Sequence, residues 1–421
     1  MPSALQFSPD AAAHEQSAFA LAWVLEFAAG HLARLDEYAT HWETGESGPI
    51  RLVDKVATEG ALLLLLARRV AVRSGAIARH CERLAEVLIP RIRSARLRSL
   101  LVRSPQIAAT LGAGDSFLTA AGYPDEAFGA LVASAIEAGF ADTVERLPYR
   151  LLDQRWTRNL TARQPRPFGD LLASSILRSR AHPLHMTQAD AYAVTHAVMY
   201  VTDFGRDALP AALDAQRVSA MIEQGLAWHI LSEDFDLLVE YLMCAECIGL
   251  GMSPHARFAR HLIERTWTDM QFLPGPTFDP KSYREKAGAA ADAYAVEHMY
   301  HTNFVWGMCC AVGLLNPTEH ARCEPTDEGS DRLEQLLALA LSITGTKASV
   351  HSPWFAAITS APLESWELES VLWHAIAIEA ARRDDWSRVA MLACMAKTLR
   401  LPPAGTLQEL DEAQARRRRY S

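Results

Sequence analysis

Apolar residues recur at three- and four-residue spacing along nearly the whole chain, and alternating β-branched runs are almost absent. The first spacing lines one face of a helix and the second would line one face of a strand, so the pattern predicts an all-α protein. Helices are predicted over 10–40, 50–74, 78–103, 124–139, 186–204, 208–225, 233–249, 254–271, 283–315, 330–344, 366–382 and 385–399. Between them "TGESGP" (44–49), "RQPRPFG" (163–169), "LPGPTFDP" (273–280) and "NPTEHARCEPTDEGS" (316–330) collect the Gly, Pro, Ser and Asp residues that stop helices. Helices joined this way pack as antiparallel hairpins, which either stack into a curved array or close into an α/α toroid. Region 140–180 reads as a hinge between an N-terminal helical layer (1–160) and a C-terminal helical body (175–421), with a single domain as the alternative. The most apolar stretch, "GALLLLLA" at 60–67, is far shorter than the ~20 residues a spanning helix needs and reads as buried core.

Composition narrows the class. Half of the residues are apolar, 22% are charged and the net charge is −9, proportions of a globular chain rather than a disordered or membrane-spanning one. Nucleic acid is an unsuitable partner, because its phosphates require a concentrated positive surface. The one basic run, "ARRRRYS" at 415–421, reads as a frayed, solvated end, with a docking tail for an anionic partner as the alternative. The start, "MPSALQFSPDAAAHEQ", lacks the basic and apolar regions of a secretory signal, and the seven cysteines follow no paired spacing. Both features predict a reducing, cytoplasmic setting. Abundant alanine and the excess of arginine over lysine suggest a GC-rich bacterial genome. Self-association as a homo-oligomer stays open.

One heptad occurs twice: "DAYAVTH" at 190–196 returns as "DAYAVEH" at 292–298. Asp190, Ala191, Tyr192, Ala193, Val194 and His196 match Asp292, Ala293, Tyr294, Ala295, Val296 and His298, and Phe204-Gly205 falls opposite Trp306-Gly307. An internal duplication within the C-terminal body explains this, with His374 of "LESVLWHAIA" as a degenerate third position. On a helix Tyr192, His196, Tyr200 and Asp203 share a face beside a stripe of Val194, Val198 and Val201. Tyr294, His298, His301 and Thr302 gather in the same way. If both faces look into one cavity, His196, His298 and His301 can bind iron or zinc, with Asp203 as fourth ligand or base. Without a metal, the same histidines and Asp203 suit acid/base catalysis, and Tyr192, Tyr200 and Tyr294 can relay protons. The competing structural reading has the histidines hydrogen-bonded in the core and the tyrosines filling space.

Other segments carry weaker chemistry. "ERLPYRLLDQRW" (145–156) concentrates arginines, and Arg150 is a candidate for an anionic substrate group, against an ion-pair cluster joining the two layers. Trp306 is a second substrate-binding candidate. Cys244, Cys247, Cys309 and Cys310 read as small buried hydrophobes. "SEDFD" (232–236) has the look of an acidic metal or diphosphate motif, but as a helix start it also complements the helix dipole. The loop "LPGPTFDPKSYREKAG" preceding the second heptad reads as a lid or a plain connection. Dinucleotide-binding, P-loop and nucleophile-elbow patterns are missing from the sequence.

Together "THAVMYVTDFG" (195–205), "ERLPYRLLDQRW" and "EHMYHTNFVWGM" (297–308) resemble an uncharacterised all-helical bacterial family associated with actinobacterial biosynthetic gene neighbourhoods, over the middle and C-terminal parts of the chain. The resemblance implies a setting, specialised metabolism with tailoring of a peptide or other natural product, and no catalytic residue. The leading expectation is a cytoplasmic tailoring enzyme acting on a small molecule or peptide between the two heptad helices. Iron would make it an oxygenase, and zinc a hydrolase or cyclase. The alternatives are a metal-free acid/base enzyme and a noncatalytic helical scaffold that binds a peptide or partner protein. A prenyl-diphosphate cyclase is disfavoured unless Asp234 and Asp236 line an aromatic cavity.

Overall fold

The computed structural model of the chain describes residues 9–42, 50–316, 331–344, 352–396 and 404–420. The turn segment 44–49 and residues 317–330, which include Cys323, lie outside the described residues. Every regular element among those described is helical, so the protein is all-α. The first half contains α1 (Pro9–Ala33), α2 (Leu35–Tyr38), α3 (Leu52–Ala71), α4 (Gly75–Ile92), α5 (Ala95–Arg103), α6 (Ala108–Leu111), α7 (Ala113–Ala120), α8 (Glu126–Glu137) and α9 (Pro148–Thr161). There follow α10 (Gln188–Val201), α11 (Ala215–Ser232), α12 (Phe235–Cys247), α13 (Pro254–Met270), α14 (Pro280–Arg284) and α15 (Ala289–Leu315). The last are α16 (Asp331–Thr344), α17 (Pro353–Ile358), α18 (Ser365–Arg382), α19 (Trp386–Ala396) and α20 (Ala404–Tyr420).

Local chemistry sets many boundaries. Ser74, Ser94, Asp125, Asp214, Asp234 and Ser253 each cap a helix by accepting a backbone N–H with the side chain, an interaction worth ~1 kcal/mol. The cap at Ser94 splits the helix expected over 78–103 into α4 and α5. Gly288, at φ 58°, delays the helix expected from 283 until Ala289. The stretch 140–180, expected as a hinge, contains α9, begun by Pro148 at its first position and anchored by buried Leu152 and Trp156. The frayed end expected at the C-terminus is corrected. That segment is α20, with Thr406 and Leu410 buried and Arg416 to Arg419 exposed.

The chain forms two compact units, each discontinuous in sequence. Unit 1 takes residues 1–175, 199–207 and 274–317, and unit 2 takes 176–198, 208–273 and 318–421. In unit 1, α1, α3, α4 and α15 pack on one another, and α7 joins α3 to α9. "GALLLLLA" is the buried middle of α3. Gly307 lets α15 come close to its neighbours, since a Cβ there would lie 2.7 Å from Val24 and 3.0 Å from Leu63. Unit 2 is built on α11 and α18, against which α12, α13, α16 and α19 pack. Residues 367–378 of α18 are all buried, so this helix is core on every side. Among the described residues no helix is long and apolar enough to cross a membrane.

Candidate functional site

Unit 1 contains an open cavity of about 580 Å³, within the roughly 300–1,000 Å³ common for small-molecule sites. Its apolar wall comes from Leu65 on α3, Trp156 and Leu160 on α9, Phe168 in the following loop and Tyr200 on the last turn of α10. Arg68, Arg69, Asp203, Arg206 and Asp207 supply the charge.

The turn that closes α10 shapes this wall. Asp203, Phe204 and Gly205 take φ values of 45°, 53° and 80°, three consecutive left-handed residues of which two have side chains. Such a backbone is unfavourable for Asp and more so for Phe, and it persists only where its surroundings over-determine it. Several contacts do so here. The Arg69 guanidinium donates to the Asp203 carbonyl at 2.9 Å and to its carboxylate at 2.7 Å, and the Trp156 indole N–H donates to the same carboxylate oxygen at 2.7 Å. Arg206 donates to the other oxygen at 3.2 Å. Phe204 is buried, its ring centroid 5.1 Å from that of Trp156 and 6.0 Å from that of Tyr200. Asn316 donates to the Gly205 carbonyl at 2.9 Å. Asp203, expected as metal ligand or general base, is thus the centre of a donor cluster, and it and Tyr200 face the cavity.

The second heptad lies in unit 1 but lines other surroundings. Its aspartate, Asp292, pairs with Arg34 at 2.9 Å. Tyr294 accepts the Asp279 backbone N–H at 3.1 Å, and Nδ1 of His298 pairs with the Thr277 hydroxyl at 2.8 Å. Both contacts hold the Pro/Gly loop, expected as a lid or a plain connection, against α15. Gly275 makes that approach possible, since a Cβ there would lie 2.0 Å from the His298 carbonyl oxygen. His301 pairs through Nδ1 with Glu59 at 2.9 Å. Burial would raise the Glu59 carboxyl, but His301, Lys55 and the Tyr300 hydroxyl bring it below its ordinary value. Trp306 is 1% exposed and belongs to the unit 1 core rather than to a binding surface. Arg150 stacks on Tyr149 at 4.9 Å and faces Asp153 at 3.6 Å. None of these residues is among those lining the cavity.

The first heptad lies in unit 2 up to Val198. Asp190 accepts from the backbone N–H and hydroxyl of Thr187, bracing the start of α10. Tyr192 donates to Asp236 at 2.7 Å, and burial beside that carboxylate raises its phenol pKa. Thr195 donates to Glu240 at 2.5 Å, and Nδ1 of His196 lies 2.9 Å from the Tyr192 carbonyl and 3.5 Å from Glu240. A carbonyl only accepts, so the proton sits on Nδ1 and Nε2 is the basic nitrogen of His196. "SEDFD" divides by role: Asp234 caps α12, and Asp236 is buried against α10.

His374, the degenerate third position, belongs to a buried relay whose proton order can be read from one end. The Leu184 backbone N–H donates to His182 Nδ1 at 3.2 Å, so a neutral His182 carries its proton on Nε2, which faces the Thr406 hydroxyl at 3.3 Å. Thr406 in turn donates to His374 Nε2 at 2.6 Å, and His374 Nδ1–H donates to His255 Nε2 at 3.0 Å. Each imidazole uses one nitrogen as acceptor, so the chain requires three neutral rings. Burial pushes His182 down to about 3 and His255 to about 4, and His374 well below its ordinary value. A metal on His182 Nε2 would leave that ring without either proton, so the relay is a fold element and not a ligand set.

The cavity's arginines were missed by sequence reasoning. Their signal was the "ARR" that ends the apolar run of α3 and the arginine that follows "DFG". Fold and site together define an all-helical protein with a ligand-sized cavity walled by aromatic and ion-paired residues. The chain belongs to the family described as a domain of unknown function, DUF6895, whose model matches residues 20–311. No curated protein and no solved structure matches it.

Proposed function

We propose that this protein is a bacterial biosynthetic tailoring enzyme that takes a small organic molecule into the unit 1 cavity. The observation that carries this reading is the left-handed turn Asp203–Gly205, held at the cavity wall by Arg69, Trp156 and Asn316. Strained backbone fixed at the edge of a ligand-sized cavity is characteristic of sites whose geometry serves function. Among the described residues the lining contains no Ser, Thr, Cys, His or Lys, so the chemistry it offers is proton exchange by Tyr200 or Asp207 rather than a covalent intermediate on those residue types. Ala120 is exposed at the cavity edge, and Ala120→Trp should block entry without disturbing the core. Native mass spectrometry after exposure to a bacterial small-molecule extract should find a species retained by wild type and lost in Ala120→Trp. Identical spectra for the two folded proteins would remove the proposal. With the retained molecule as substrate, Tyr200→Phe should lower turnover more than binding.

A metal-dependent reading draws on a separate observation in unit 2. Asp236 and Glu240, both buried, bring carboxylate oxygens within 4.8 Å of each other beside Tyr192 and His196. Carboxylate oxygens are among the ligands that iron and zinc take. Near-stoichiometric metal in wild type that is lost in folded Asp236→Asn and Glu240→Gln would support it, and no uptake after reconstitution would end it.

A further inference from the structure

We propose that the unit 1 cavity selects an organic anion, a carboxylate attached to a flat apolar body; this rests on the cavity being the ligand site.

Asp203 already receives Arg69, Arg206 and the Trp156 indole N–H, so its capacity to take a further donor is largely used. The guanidiniums are in the opposite position. Arg206 is 56% exposed and makes one contact, 3.2 Å to Asp203, which leaves most of its N–H groups open to the cavity. Arg68 is 33% exposed and spends one N–H on Glu82 at 2.9 Å and one on the Ala121 carbonyl at 3.3 Å. Its remaining terminal nitrogen faces Gly122, another lining residue, where an added Cβ would come within 3.9 Å. Two arginines with spare planar donors therefore border one cavity, a set that suits the oxygens of an anion such as a carboxylate.

The apolar side defines the rest of the ligand. Trp156, Tyr200 and Phe168 offer aromatic surfaces, and Leu65 and Leu160 fill between them. The polar groups of Asn159 are already committed, its amide donating to the Arg166 carbonyl at 2.8 Å and its oxygen accepting the Arg166 N–H at 2.9 Å. The interior thus favours a body without many hydroxyls, and the charge belongs at the mouth. Asp203 itself illustrates the preference, being a carboxylate held between two guanidiniums and an indole N–H. Asp207 at the rim repels a second negative group on the ligand, which favours a single carboxylate over a diphosphate.

Matched probes separate this assignment from the cavity itself. Calorimetric titration would compare 3-phenylpropionate, 3-phenylpropionamide and phenethylamine, which share a phenyl body and differ in charge. The expected order is the acid first, with the amide about tenfold weaker and the amine weaker still, and Arg206→Gln removing about tenfold of the acid's affinity alone. If acid and amide bind alike and both are lost in Ala120→Trp, the cavity reading stands and the anion assignment falls. Tightest binding of the amine would also overturn the assignment. If none of the probes binds wild type, the anion assignment is overturned together with its basis.

Discussion

The cavity of unit 1 and the histidine relay of unit 2 hold their polar groups in different protonation states. Around the cavity of unit 1 the groups are charged and paired, with Asp203 between Arg69 and Arg206 and within reach of solvent. In the relay of unit 2, the chain His182, Thr406, His374 and His255, they are neutral and closed, and no ring is more than 7% exposed. A charged pair near water can exchange one partner for a ligand at modest cost, because the open charge can be rehydrated. A neutral relay in a dry core has no such freedom, since each donor needs its particular acceptor. The difference teaches which histidines and carboxylates to regard as chemistry and which as architecture.

Substitutions can break this contrast, the largest effect first. Asp203→Ala should destabilise the protein by about 3 kcal/mol, because Arg69, 10% exposed, is left without its carboxylate and the left-handed turn loses its clamp. Urea unfolding measures it, and a change below ~1 kcal/mol would mean that the turn is held by packing alone. In unit 2, His374→Leu should cost about 2 kcal/mol by stranding Thr406 and His255. Its signature is faster amide exchange in α20, which a merely local cavity would not produce.

Acidification acts on unit 2 through its histidines. Their folded pKa values are depressed, to about 3 for His182 and His229 and about 4 for His255, against an ordinary value near 6.5. The unfolded chain therefore takes up protons first as pH falls. The stability they contribute is complete above about 6.5 and drains away between there and about 3. Denaturation midpoints at pH 7.5 and 5.5 should show this loss, with a shallower slope in His374→Leu; equal slopes would separate the acid response from the relay. The smallest effect is expected for Arg206→Gln, an exposed pair whose removal should shift stability by less than ~0.5 kcal/mol while weakening anion binding.

The helical class and most long helices were legible because core-facing stripes repeat with the helix period, as in α3 and α13. α9 was not. Its first residues, "PYRLLDQRW", carry so many charged groups that only Leu152 and Trp156 mark a buried face. The heptads show another limit. Tyr192, His196, Tyr294 and His298 were correctly placed on helices, but partners such as Asp236 and Thr277 come from distant segments that no spacing announces. The two copies spell alike and bind unlike neighbours. The turn at Asp203 was equally hidden, because nothing in "TDFG" before its glycine requires a left-handed backbone, which is imposed by Arg69, 134 positions away.

On the proposed function, the charged cavity of unit 1 serves a ligand and the neutral relay of unit 2 serves the fold. The most direct measurement is calorimetric titration of 3-phenylpropionate into Ala120→Trp and His374→Leu, each first shown to be folded by circular dichroism. Binding lost in Ala120→Trp and kept in His374→Leu is the predicted result. Binding kept in Ala120→Trp, or lost in a folded His374→Leu, would contradict it.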